Sequence, residues 1–240
     1  MSALGGDELI DRLLGGELDQ DEQGVTANDL LIRVLGGYPA QNLSRLIHSD
    51  STQAVNSGAF VVSELGAQAG QVMNEVDFLL SHPSRNARFD ALDAVLAGAS
   101  SEDGRVLAKA VMLVVDPDQA VRRKALKFLA NATQDQLLAA IPQLRDRYAA
   151  DLVTWLLTAG SDPSYLPDIL SRLEDGEKET RMFAVAAAAR AGDPSRLGLE
   201  QGAASDDPDI RSFAGNLIER RDLEQEIRAR QEQRRQARRS

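Results

Sequence analysis

The sequence predicts an all-α fold, a right-handed superhelical solenoid of about six helical pairs behind an N-terminal helical cap, and three observations predict it. A short pattern recurs six times between residues 54 and 214: a small or β-branched residue, usually Arg, two variable positions, then Ala. With the second position as marker, the copies fall at 56, 88, 122, 154, 181 and 211, steps of 32, 34, 32, 27 and 30 residues, the spacing of stacked structural repeats. Aromatic residues are only 4% of a chain that is 43% hydrophobic, so close helix contacts through Ala and Leu fit better than β-rich packing.

In chain order, the first 38 residues carry two helical patterns, Glu8 to Leu14 and Asn28 to Leu35. Each ends in a Gly-Gly pair suited to a left-handed cap, with a polar connector from Glu17 to Gly24 between them. Asp19 to Gly24 opens like a calcium loop, but Leu30 stands where a bidentate Glu is needed, which returns the stretch to a connector. From Pro39 the chain reads as paired helices, with first helices at 40–48, 68–80, 103–115, 134–146, 164–174 and 194–203. The second helices follow at 51–65, 84–97, 118–131, 148–159, 177–191 and 208–221. His82-Pro83, Asp116-Pro117 and Asp207-Pro208 set proline at or near helix starts, where its missing N–H is tolerated, and Asp50 and Asp175 are expected to cap likewise. The first and fifth motif positions, such as Val121 and Ala125, share one face and should be core. Residues 39–221 are thus expected to form one repeat array, and 222–240 an Arg-rich tail, including Arg234, Arg235, Arg238 and Arg239, that frays or stays disordered.

Composition excludes several chemistries. The chain lacks cysteine, so disulfides, a thiolate nucleophile and sulfur-ligated zinc are ruled out. Neither a signal peptide nor a membrane span is legible, and a cytoplasmic location is expected. The net charge of -10 is uneven: residues 219–240 hold eight Arg against five acidic groups, leaving 19 basic against 32 acidic, or -13, over residues 1–218. An acidic body repels phosphates and favours a basic protein partner over nucleic acid.

Asp116-Pro117-Asp118-Gln119-Ala120-Val121-Arg122-Arg123-Lys124-Ala125-Leu126 closely resembles the second helix of a HEAT-like repeat, and Asp207-Pro208-Asp209-Ile210-Arg211 resembles it too. The resemblance covers about three quarters of the chain. It implies that Asp116 with Arg122, and Asp207 with Arg211, support a ladder between repeats, which Asn56 and Thr154 interrupt. Leu35 to Leu43 and Ser57 to Gly66 are similar to small bacterial HEAT-like immunity proteins of polymorphic toxin systems.

No residue pattern points to catalysis, a cofactor or a metal. His48 and His82 sit at helix ends without a second ligand or nucleophile at useful spacing, and the acidic turns Asp116/Asp118 and Asp206/Asp207/Asp209 are explained by capping. Trp155, the only tryptophan, invites comparison with base-stacking pockets of HEAT-like DNA glycosylases, but the acidic body argues against that. The expected function is protein binding through a concave face lined by second helices, with Arg85, Asn86, Arg123, Lys127, Trp155 and Met182 as candidate contacts. The specific expectation is an immunity or inhibitor protein that covers a basic toxin domain. A general adaptor is the alternative, and a lyase-like or glycosylase-like protein the third.

Overall fold

The computed structural model describes residues 4–192 and 196–237. Among the described residues, fourteen α-helices and several short 3-10 segments make up the regular structure, with no strand. Contacts divide the chain into two units, Met1–Asp151 and Leu152–Ser240.

The first unit opens with α1 (Gly6–Gly15) and α2 (Gln20–Leu35). Helix α2 starts eight residues before the expected Asn28, so the polar connector from Glu17 to Gly24 is mostly helix. The reason is local: the Asp19 carboxylate accepts from the Glu22 N–H at 2.9 Å while Glu22 accepts from the Asp19 N–H at 3.2 Å. This reciprocal capping box nucleates a helix whatever the polarity that follows. Gly16 and Gly37 adopt the expected left-handed conformation, with φ of 70° and 103°. The Tyr38 hydroxyl donates to Asp7 at 2.7 Å and Arg45 reaches Asp7 and Asp11, fastening α1 to the first repeat.

Four helical pairs begin in this unit: α3 (Ser44–Ile47) with α4 (Thr52–Ser63), α5 (Met73–Leu79) with α6 (Arg85–Gly98), α7 (Gly104–Met112) with α8 (Gln119–Asn131), and α9 (Gln134–Ala140) with α10 (Arg147–Ala159). The division between the units falls within α10. First helices stack on first helices, α3 on α5, α5 on α7 and α7 on α9, while α4, α6 and α8 stack as a second layer. This is the local arrangement of an α-solenoid. Several first helices are shorter than predicted because part of each expected span is 3-10 helix, at 40–43, 66–72, 113–115 and 141–143. Ser51, not Asp50, caps α4 by accepting from the Ala54 N–H at 3.3 Å, and Asp118 caps α8.

The second unit contains α11 (Leu166–Leu173) with α12 (Lys178–Arg190) and α13 (Leu197–Ala203) with α14 (Pro208–Ala237). Here too α11 stacks on α13 and α12 on α14. Asp175 accepts from the Glu177 N–H at 2.8 Å, ahead of α12. The expected start of α13 at 194 lies outside the described residues, as do Arg238 and Arg239 of the tail. The tail to Ala237 continues α14 as helix. Its Arg, Gln, Glu and Ala residues have high helix propensity, and Glu224 and Glu226 take part in i,i+4 ion pairs with Arg220, Arg228 and Arg230.

The repeat motif lines the core as its period implies. Val55, Ala87, Val121, Val153, Thr180 and Ile210 are buried, as are Ala59, Ala91, Ala125, Ala184 and Ala214. Only Leu157, in the degenerate fourth copy, is partly exposed.

Candidate functional site

Marker residues 56, 88 and 181 reach the next repeat, and those at 122 and 211 hold the turns that lead into their own helices. Arg88, projecting from α6, donates from Nε and a terminal nitrogen to both carboxylate oxygens of Asp116, at 2.7 and 2.9 Å, and to the carbonyls of His82 and Pro83. Arg122 grips the carbonyls of Asp116 and Pro117, and Arg211 those of Ser205 and Asp206. The ladder therefore differs from the pairing the resemblance implied. The Asp116 carboxylate is taken by Arg88 of the preceding repeat, and the Asp207 carboxylate by Lys178 at 2.9 Å. Burial alone raises Asp207, but bonds from Lys178 and from the Asp209 and Ile210 N–H groups outweigh it and hold the carboxyl below its ordinary value. Where Asn56 replaces Arg, Ser84 donates to its side-chain oxygen at 2.6 Å, a neutral link in the same place.

Both histidines belong to these joints. His48 ends α3, meets Glu75 at 2.6 Å and lies 4.5 Å from the Phe78 ring. His82 accepts from the Ser84 N–H through Nδ1, and burial together with Arg88 pushes its pKa below the usual histidine range. Among the described residues no three His, Asp or Glu side chains gather as a metal site.

A groove of about 830 Å³ runs over the second helices of the first unit, bounded by α2, α4 and α6. Gln20 and Gln23 of α2, Gln53, Asn56 and Phe60 of α4, and Asn86, Phe89 and Asp90 of α6 line it. Spacing explains the α6 wall: Asn86, Phe89, Asp90 and Asp93 recur at i, i+3, i+4 and i+7 and so share one face. Gln23 and Gln53 are locked together, with Gln23 donating to Ser57 at 2.7 Å and Gln53 to Gln23 at 2.6 Å. Along the edge toward α8, Lys124 lies over the Phe89 ring at 4.1 Å and is paired with Asp93. Burial, reinforced by Asp93 and Glu64 against the opposing pull of Lys124, pushes the Asp90 carboxyl up to about 6.

A second pocket, of about 600 Å³, lies on the first-helix layer of the same unit. Leu80, Ala108, Met112, Leu113 and Leu144 form its apolar wall, with Arg105, Lys109 and Arg145 among its lining. Asp77 takes both Arg105 and Lys109, at 3.2 and 2.9 Å.

The six candidate contacts fare differently. Asn86 lines the groove. Arg85 reaches the α8 cap residue Asp118 at 3.6 Å and Lys127 reaches Asp93 at 3.5 Å, so both bridge α6 and α8 beside it. Arg123 is half-buried on α8. In the second unit, Trp155 donates its indole N–H to Asp168 at 2.6 Å while Arg172 covers its ring at 4.4 Å. Met182 is corrected: it is fully buried, because α12 is enclosed by α11, α13 and α14 and its run from Met182 to Ala188 has no exposed face. Sequence reasoning missed Asp90, Phe89 and Asn56. The face shared by Asn86, Phe89 and Asp90 was readable, but its convergence with α2 was not, since α2 was placed too short.

Fold and groove together define an all-α helical-repeat protein with an open, polar cleft on one helix layer. No protein-family model and no curated protein matches the chain. Among solved structures it is similar to two engineered proteins of the Northeast Structural Genomics Consortium. One is 15% identical with TM-score 0.44, over 89% of this chain and 95% of that one. The other is 14% identical with TM-score 0.47, over 89% of this chain and 67% of that one. A designed armadillo repeat protein in complex with peptide (KR)4 is 14% identical with TM-score 0.45, over 88% of this chain and 97% of that one.

Proposed function

We propose that the chain is a HEAT-like, protein-binding repeat protein that engages a basic partner through the second-helix layer of its first unit. The groove of about 830 Å³, lined by amides, two aromatic rings and a carboxylate, is the observation that carries this reading. An exposed polar cleft with apolar patches offers hydrogen bonds for orientation and area for burial, the combination interfaces use. The -13 charge of residues 1–218 supplies attraction at a distance and discrimination against acidic competitors. The specific form of the proposal is an immunity or inhibitor protein, acting in the cytoplasm, that covers a basic toxin domain. Arg123, Arg85 and Lys127 remain proposed contacts of that partner beside the groove, and Trp155 is a separate proposed contact on the second unit. No helix among the described residues is long and apolar enough to cross a membrane.

The pocket on the first-helix layer favours a second reading, a general adaptor, because its Arg105, Lys109 and Arg145 give it a chemistry unlike that of the groove. Affinity capture of the tagged chain from its own cells at low and moderate salt, with mass spectrometry, separates the two. One tight basic partner of toxin-like size supports inhibition, and several unrelated partners support the adaptor. Recovery of acidic partners alone would overturn the charge argument.

A further inference from the structure

We infer that the groove between α2, α4 and α6 is a receptor for a single lysine or arginine side chain of the partner protein, with the Asp90 carboxylate as its counter-ion. The inference deepens the protein-binding proposal and rests on it.

Asp90 lies half-buried on the groove wall, and among the described residues it has no hydrogen bond or close ion pair. Lys124, on α8, is the cation that acts on it, but its ammonium is paired with Asp93 and seated over Phe89. The other charged groups acting on Asp90 are Asp93 on α6 itself and Glu64 at the end of α4, both of like sign, while the α2 lining is uncharged. The carboxylate is therefore ionised at neutral pH against both its burial and its neighbours, and a cation brought from outside relieves both. A group already satisfied inside the protein would have no such demand.

The rest of the lining suits the stem and backbone that carry such a cation. Phe60 and Phe89 present apolar surface to the methylene chain of Lys or Arg, which buries its stem while its charged head finds a partner. Asn86 and Gln20 have no hydrogen-bond partner among the described residues, so their amides are available to the partner's main chain. A lone carboxylate with amides is too poor a donor set for a divalent cation, which takes six or more oxygen ligands or an octahedral shell. A nucleic acid brings phosphate, which Asp90, Asp93 and Glu64 repel.

The test uses the full chain and two fluorescein-labelled octapeptides, one alternating Lys with Gly and one alternating Glu with Gly. Fluorescence anisotropy is read at pH 7.5 and pH 5 for the native chain, Asp90→Asn and Asn86→Lys. The native chain is expected to bind the Lys peptide, to ignore the Glu peptide, and to bind more weakly at pH 5, where Asp90 is protonated. Asp90→Asn should weaken binding at pH 7.5 about tenfold, the loss expected for one charge-assisted contact, and should shrink the gap between the two pH values. Asn86→Lys sets a cation one helical turn from Asp90 on the same face, where it competes for the carboxylate from within the chain, and should weaken binding similarly while Asp90 itself is kept. If both variants bind the Lys peptide as the native chain does, the receptor is wrong while the attraction of a basic partner to the acidic body stands. If the native chain binds neither peptide, the receptor and the basic-partner proposal both fall.

Discussion

Arg88 and Asp90 are two residues apart, yet they set opposite conditions on the fold. The side chain of Arg88 is 12% exposed and that of Asp116 is 3% exposed, so their two-point ion pair is nearly dry. Removing one partner strands a buried charge, and Arg88→Ala should lower stability by about 3 kcal/mol, read as a shift in the urea midpoint. The exposed pair of Arg45 with Asp11 has side chains 42% and 65% exposed, and Arg45→Ala should shift the midpoint by less than about 1 kcal/mol. Equal losses at the two sites would contradict this account of the ladder. Asp90 works the other way. Its pKa is about 6 in the folded chain against an ordinary 3.8, so between those values the folded state binds more protons than the unfolded one. Stability contributed through Asp90 therefore falls as pH rises from about 4 to about 6, and the full penalty is present above that. Asp90→Asn should raise stability at pH 7.5 by about 1 to 2 kcal/mol, allowing for partial solvent screening, and should be neutral near pH 4. Parallel urea titrations of the two proteins across that range would show the difference closing as pH falls.

The helices are held at distances that small residues decide. A methyl group added at Gly98, the last residue of α6, would stand 2.7 Å from the Gly70 backbone nitrogen and 2.9 Å from the Ala69 Cβ. Gly98→Ala should therefore destabilise by about 2 kcal/mol despite the better helix propensity of Ala. Gly215, within α14, has nothing within 4 Å of an added methyl group, and Gly215→Ala should stabilise by about 0.5 to 1 kcal/mol. Thermal melts of the pair should move in opposite directions. Ala125, fully buried on α8, is the strictest case. Ala125→Glu adds volume and an unpaired charge to the face that carries neighbouring helices, and the melting transition should drop by well over 10 °C or be lost. An unchanged melt would mean that the motif alanines do not set the stacking distance. The same logic, read in the sequence as a period near 32 residues, locates twelve repeat helices. The start of α2 and the full length of α14 do not follow from that period, because the Asp19 and Glu22 capping box lies in a polar stretch and a polar helix has no apolar stripe to follow.

At the scale of the molecule the distribution of charge matters more than its sum. Residues 1–218 carry -13 and residues 219–240 carry +3, so the proposed basic partner would be drawn to the former and repelled by the latter. Association with such a partner should slow severalfold or more between 50 and 500 mM salt, as the screening length drops from over 10 Å to a few Å, with little change in the rate of dissociation. Stopped-flow mixing with the captured partner measures both rates, and a salt-independent association rate would remove electrostatic steering from the proposal. Removing residues 222–240 should raise the association rate if the basic helix opposes approach.

The sequence by itself determined the class of fold, the order and approximate bounds of the repeat helices, the core face of each second helix and the uneven charge of the chain. These follow from periodicity, turn chemistry and composition, which act over a few residues or over the whole chain at once. Tertiary structure alone decided that Arg88 of the preceding repeat takes the Asp116 carboxylate, that Met182 is enclosed, and that Asp90 is left half-buried in a groove with α2 across from it. Each of these depends on which side chains from distant stretches come within a few ångströms, and a local pattern carries no record of that distance.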